Sequence, residues 1–597
     1  MGRELSVVDG GRAGPDGRSP AGSVLRVSGP LVEVGDLPDV AIAELVALGP
    51  NGLPGEVVAI RGATVSVQAY EYTGGLAVGS PVQALGRPLS ARLGPDLLGG
   101  VFDGLLRPLA TAGTWLGVTA GTGPGSGAGA GAKDRTWQWR PRVVPGQVVT
   151  AGTVLGTVPD VGAVEHRVLA PPGTGGEVSW VADAGRYTEA QPVVCVGRTS
   201  VRLTELWPVR RPRPVTARRL ADQPLVTGQR VLDAVFPVAL GTSVAVPGGF
   251  GTGKTMLLQQ IAKWCSADVI VYVGCGERGN EMADVLDELA ALADPRTGRR
   301  LSERIVVIAN TSNMPMMARE ASIYTGVTVA EFYRDMGHDA VLIADSTSRW
   351  AEALREFGSR SGAMPTEEGY PAALASALAA FYERAGRVQT LGGVDASVTI
   401  VGAVSPPGGD TTEPVTAHTQ RSVRSLWNLD RALAYARHYP AVGWSGSFAR
   451  DVDRLGAWYA AHGDPDWARR RARVAGLLAE ADRLTDLAEL VGAGSLPGHE
   501  RVVLLAGRLL REGVLQQNAL SANDAHCTAA KTAALVDAVL AAVDECDLLV
   551  EGDVTATEIE EVDFSPLLRA AQDTGPDDAA GVRERGTRML AVLGGLR

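Results

Sequence analysis

Eight consecutive residues, Gly248-Gly249-Phe250-Gly251-Thr252-Gly253-Lys254-Thr255, carry the clearest chemistry in the sequence. They fit G-x-x-x-x-G-K-[ST], the pattern of a loop that cradles phosphate. Glycines let its backbone approach phosphate oxygens with no Cβ in the way. The apolar run Ser243–Val246 before the loop predicts a buried strand, and Met256–Ala262 after it predicts a helix. A strand, a glycine turn and a helix N-terminus aim backbone N–H groups and the positive helix end at one point. In that setting Lys254 reaches the β and γ phosphates and the Thr255 hydroxyl binds Mg²⁺. A chance glycine turn would not have these flanks.

Ligands of open α/β sheets gather at the carboxyl ends of the strands, so residues that follow apolar runs carry weight. Asp345 follows the run Ala340–Ala344. Beside a phosphate loop, such a carboxylate holds Mg²⁺ through a water, because that ion sheds water reluctantly. Standing alone, Asp345 reads equally as an N-cap for the next helix. Glu277 and Arg278 follow the run Val269–Val273, between Gly276 and Gly279. Hydrolysis needs a water in line with the γ phosphorus, and Glu277 can hold and polarise it. Arg278 can pair with the γ phosphate. Taken alone, these two read as a surface ion pair at a helix start.

The elements that must position these groups change character along the chain. The length of 597 residues suggests roughly four domains. Residues 1–23 are polar and Gly-rich, with no apolar core, and are expected to be a disordered tail rather than a signal peptide. Residues 24–92 hold short alternating stretches separated by glycine, which predicts a small β-barrel. Residues 110–196 are again β-rich, with a flexible Gly/Ala/Ser stretch at 121–131. In 210–441 strands alternate with helices, the sign of a parallel sheet. Residues 442–597 are helical, with amphipathic helices expected at 467–491 and 529–543.

Bulk properties exclude several classes. The net charge is −11 and the pI about 5.3, which speaks against direct nucleic-acid binding. No apolar run reaches the length of a membrane span. The five cysteines lack paired short spacing and read as buried thiols of a reducing compartment. There are four lysines against 52 arginines. Lys254 therefore stands out, because a guanidinium does not replace a compact ammonium in a phosphate loop without steric cost.

The three site elements, with Gly276-Glu277-Arg278-Gly279-Asn280-Glu281-Met282, resemble the catalytic A-type chain of V-type and archaeal-type rotary ATPases and ATP synthases. The resemblance runs from about Val24 to the C-terminus. It includes Leu93–Gly99, Asp103–Leu109, Glu165–Arg167, Asp345–Glu356, Glu368–Pro371, Ser405–Asp410 and Leu515–Asn518. Residues 110–196 look like the insertion that separates this type of chain from the F-type β subunit.

The resemblance implies a multidomain α/β architecture: a β-barrel, an inserted β domain, a P-loop nucleotide domain and a helical C-terminal domain. It implies ATP and ADP as ligands with Mg²⁺, and hydrolysis or synthesis coupled by rotation to H⁺ or Na⁺ transport. Three A-type and three B-type chains would alternate around a rotor shaft, steadied by a peripheral stalk. The B-type neighbour would supply an arginine finger in trans, leaving Arg278 as a γ-phosphate ligand in cis. The complex would place the chain at the cytoplasmic face of a membrane without contact with the bilayer core. Glu281 would hold a water of the Mg²⁺ shell. Tyr439 matches the aromatic beside adenine, although its residue type and setting read equally as a buried tyrosine.

Two departures bear on the site. Thr252 stands where eukaryotic members carry Cys, so thiol regulation at that position is absent. Leu520 stands where the family has an aromatic, so half of the adenine sandwich is aliphatic. The rival readings are an export-type ATPase, a non-catalytic nucleotide-binding ring subunit and an RNA-translocating helicase. The insertion argues against the first, the Glu277/Lys254 pair against the second, and the acidic balance against the third.

Overall fold

The computed structural model describes residues 21–109, 135–159, 161–294, 296–362 and 364–597. Most of the expected tail, residues 1–20, and the whole stretch 121–131 lie outside the described residues. The chain packs into two compact units, Met1–Arg219 with Ala267–Ile400, and Leu220–Ser266 with Val401–Arg597.

The first unit begins with a closed six-stranded barrel built from Ala21–Ser28, Leu31–Gly35, Glu44–Leu48, Leu53–Arg61, Thr64–Ala69 and Pro81–Pro88. Alternate residues such as Val32, Val34, Val65 and Val67 point into its core, as the period of a half-buried strand requires. Two four-stranded sheets follow within 137–202. They share a core around Trp139, whose indole N–H donates to the carbonyl of Ala182 at 3.2 Å. Closure of the barrel removes exposed strand edges.

The same unit holds a parallel array in the order Val101–Phe102, Ile305–Asn310, Val269–Cys275, Ala340–Asp345. The last three strands are buried along their whole length. They are near-continuous apolar runs rather than alternating ones, as strands covered on both faces must be. In register, Gly274 lies level with Asp345 and Cys275 with Asn310, so the segments carrying the acidic candidates leave neighbouring strand ends.

In the second unit the strand Ser243–Pro247 pairs in parallel with Ser425–Leu426, and Phe448–Ala449 adds an antiparallel edge. The loop after Pro247 leads into the helix Lys254–Trp264. The remainder is mainly helical. The long helices are Trp467–Val491, Gly498–Leu510, Ala529–Glu551 and Ala579–Gly594. The helix expected over 529–543 runs eight residues further, because Cys546 and Leu549 extend its buried face. The strand Asp395–Val404 is buried throughout except at its first residue.

Candidate active site

In the second unit the phosphate loop is shaped by three glycines. Gly251 and Gly253 adopt φ of +81° and +80°, a left-handed conformation that costs a residue with a Cβ about 1–2 kcal/mol. Gly253 is also the N-cap of the helix Lys254–Trp264 and offers no side-chain acceptor to its first turn. The first N–H groups of that helix are thus available to an anion. A Cβ on Gly248 would lie 2.7 Å from Thr252 Oγ1 and 2.9 Å from Leu429, so only glycine fits there. The Thr252 hydroxyl donates to the carbonyl of Gly249 at 2.8 Å and closes the loop on itself. A Cβ on Gly251 would meet nothing within 4 Å.

Lys254 opens the helix. Its ammonium donates to the hydroxyl of Ser405 and to the carbonyl of Val404, the latter at 3.3 Å. The backbone N–H of Gly248 donates to the same carbonyl at 3.1 Å. The end of the strand Asp395–Val404 therefore holds both the loop and its lysine. Thr255 is half-buried one residue further on, and the Phe250 side chain is fully exposed. Tyr439 is not buried. It is 39% exposed and lies against the loop, because a Cβ on Gly253 would sit 3.0 Å from its ring. Leu520 is 90% exposed, and its N–H donates to Asn518 Oδ1 at 3.0 Å.

In the first unit Asp345 is fully buried at the end of its strand and accepts a hydrogen bond from the Tyr272 hydroxyl at 3.2 Å. The N-cap of the following helix, Thr347–Ser361, is Ser346 rather than Asp345, so the capping alternative falls away. Burial, then the charges of Asp345, Glu277 and Glu281, push the Tyr272 phenol well above its usual range. It stays a neutral donor, and the three carboxylates that act on it share one electrostatic neighbourhood. Among the described residues no cluster of three or more His, Cys, Asp or Glu is arranged to hold a metal by itself. Mg²⁺ needs none, since it keeps waters and takes only one or two carboxylates plus phosphate oxygens. Thr255 offers a hydroxyl oxygen in the second unit, and Asp345 and Glu281 offer carboxylate oxygens in the first; hard oxygen donors of these kinds fit that ion.

Glu277 is half-buried, and its carbonyl accepts from the Ser312 N–H at 2.9 Å. The turn that lifts it uses Gly276 at φ +76°, where a Cβ would lie 2.8 Å from Arg349 Cβ. Arg349 is paired with Glu352 at 3.0 Å, which together with the field of Glu277 holds its guanidinium above the usual range. Arg278 is exposed and lies 3.9 Å from Glu281 across the first turn of the helix Gly279–Ala291. Cys275, adjacent to this turn, is pushed up to about 12 by burial and is an inert thiol.

Ser405 in the second unit, and Tyr272 and Arg349 in the first, each contact a candidate segment of their own unit, and none was singled out as a candidate by the sequence. Tyr272 had a readable signal, a hydroxyl-bearing residue inside an otherwise aliphatic buried run. Ser405 and Arg349 stand inside segments that carry the resemblance, but nothing local links Ser405 to Lys254 or Arg349 to Gly276.

The nucleotide-binding domain of the ATP synthase alpha/beta family matches residues 228–449. The beta-barrel domain of that family matches 24–86, and its barrel-sandwich domain matches 130–210. The C-terminal domain of V and A type ATP synthase matches 456–556. The V-type ATP synthase alpha chain of Nitrosococcus oceani is 49% identical over 90% of this chain and 92% of its own length. That of Anaeromyxobacter dehalogenans is 52% identical over 86% and 88%. The corresponding A-type ATP synthase chain of Methanopyrus kandleri is 45% identical over 91% and 92%. Among solved structures, the assembled ATPase EscN of the enteropathogenic E. coli type III secretion system superposes with a TM-score of 0.61. It covers 87% of this chain and all of its own, at 22% identity, a likeness of fold alone. With near-full-length identity of 45 to 52% to such relatives, this chain belongs to the family of V-type ATP synthase alpha chains and their A-type ATP synthase counterparts.

Proposed function

We propose that this chain is the catalytic subunit of a rotary ATPase, hydrolysing or synthesising Mg-ATP in a reaction coupled to ion transport across a membrane. One observation carries the reading: Lys254 is docked on Ser405 and Val404 at the mouth of a glycine loop whose helix N-terminus is open. That is a prepared seat for a polyphosphate. The work of such a site is positioning and charge stabilisation, since phosphoryl transfer needs little covalent help from the protein.

In this mechanism the loop N–H groups and Lys254 bind the β and γ phosphates. Glu277 holds a water and takes up its proton as the oxygen attacks the γ phosphorus, while the bond from that phosphorus to the bridging oxygen breaks and ADP leaves with its electron pair. Arg278 releases its loose contact with Glu281 and pairs with the γ phosphate. Tyr439 lies beside the base. Thr255 and Asp345 would hold a Mg²⁺ ion, with Glu281 on its water shell, and that ion would supply positive charge to offset the charge of the phosphates.

The family implies a multisubunit complex, and we assign this chain to alternation with a B-type chain in a hexamer around a rotor, with a peripheral stalk. That neighbour supplies the arginine finger. We place the chain at the cytoplasmic face of that membrane, attached through the complex; among the described residues no helix is long and apolar enough to cross a membrane. The export-ATPase reading is weaker, because residues 130–210 match the barrel-sandwich domain of the ATP synthase alpha/beta family. Co-purification tests the reading. The chain should bring down a B-type partner, and the pair should turn over ATP faster than this chain alone by ~10³-fold, the scale of an arginine finger. Equal turnover with and without the neighbour would refute it.

A further inference from the structure

We propose that Arg230 is a positioning residue for the adenine side of the nucleotide site, acting through the backbone of residues 514–518 and Tyr439. The inference rests on the nucleotide-site reading above. Arg230 begins the short helix Arg230–Val235, and its side chain is fully buried. A buried guanidinium is expensive unless every donor is paired. Here the pairing goes almost entirely to one loop.

The Arg230 Nε donates to the carbonyl of Val514, one Nη to the carbonyl of Gln516, and the other Nη to Asp524 Oδ1, each at 2.5 Å. Its backbone N–H donates to Gln517 Oε1 at 2.9 Å, and Gln517 Nε2 donates to the carbonyl of Gly228 at 2.9 Å. The other oxygen of Asp524 accepts from the Asn518 N–H at 2.7 Å. The carbonyls become available because the helix Gly498–Leu510 ends in one wide turn, Arg511–Leu515, closed by Gln516 N–H to the carbonyl of Arg511. Wide turns of this kind recur at functional sites, and a cation is favourable where helix carbonyls are left without N–H partners.

The chain of contacts continues to the phosphate loop. The Gln517 N–H donates to the carbonyl of Tyr439 at 2.7 Å, and the Tyr439 ring lies against Gly253. From the far end of the loop helix, Trp264 stacks on His526 with ring centroids 4.3 Å apart. Arg230 thus fixes the backbone that presents Tyr439 and Leu520, while touching no phosphate-loop residue by these bonds. A planar five-donor fork is needed to reach two carbonyls and a carboxylate at once; an ammonium cannot reproduce it.

This separates base binding from phosphate binding. In the complex assembled with its B-type partner, Arg230→Lys should raise KM for ATP about 10-fold and change kcat less than about 3-fold. The inhibition constant of Mg-pyrophosphate, which has no base, should stay within about 2-fold. Gln517→Met tests the same link if Arg230→Lys fails to assemble, with a smaller rise in KM and the same unchanged pyrophosphate constant. Equal loss of ATP and pyrophosphate affinity, or no change in KM, would overturn the role of Arg230. Failure of the unsubstituted complex to bind or hydrolyse ATP would instead count against the nucleotide-site reading itself.

Discussion

At the scale of single residues, the site is built from groups whose chemistry is local and whose orientation is not. The octapeptide 248–255 and the segment 276–282 were legible because their glycines, lysine and carboxylates are contiguous. The orienting partners were not. Ser405 holds Lys254 from 151 positions away, and Tyr272 reaches Asp345 from 73; no local pattern records such distances. Tyr439 was legible only as an aromatic near the site, and its place against Gly253 emerged from the fold. Leu520 makes a residue-scale prediction. We place it beside adenine, where its exposed aliphatic side chain stacks less well than an aromatic would. Leu520→Phe should tighten ATP binding by about 0.5–1.5 kcal/mol, roughly 2- to 10-fold, by calorimetry. An unchanged affinity would place the base elsewhere.

At the scale of elements, strand identity was readable because buried parallel strands are unbroken apolar runs. Their ends were less readable. Ile343, Ala344 and Asp345 continue one strand, although the carboxylate looked like the first residue beyond it. The turn Gly276–Arg278 is the element that delivers Glu277, and it depends on a left-handed glycine under Arg349. Gly276→Ala puts a Cβ 2.8 Å from Arg349 Cβ and strains the backbone by about 1–2 kcal/mol. Turnover should fall ~10-fold or more from misplacement of Glu277, while the melting temperature drops by only a few degrees. Normal turnover would detach Glu277 from the chemistry.

The first unit also carries a pH-sensitive element. His166 is buried, packs near the Phe332 ring, and is lowered to about 4 by burial, with Asp96 opposing and His338 adding to the shift. Its folded value lies below the unfolded 6.5, so the unfolded chain binds the extra proton first. The stabilisation is present above pH 6.5 and lost as pH falls toward about 4, up to ~3 kcal/mol at about 1.4 per unit. His166→Gln should flatten this part of the melting-temperature profile between those values. An unchanged profile would assign the pH response to other groups.

At the scale of the whole molecule, the architecture follows from domain-sized changes in pattern, and these survive in a single sequence. Alternation gives way to βα repeats and then to helical periodicity, and the family matches fall on the same succession. What a single chain does not encode is the arginine that completes the transition state, which our reading assigns to a neighbour. Turnover must therefore be measured in the assembled complex. The most direct measurement is steady-state ATP hydrolysis by that complex with Glu277→Gln in this chain only, alongside nucleotide binding on the same sample. The substitution keeps the volume and removes the base. ATP should still bind with affinity within a few-fold of normal, and turnover should fall at least ~100-fold, the contribution of a positioned general base. Near-normal turnover with intact binding would contradict the account.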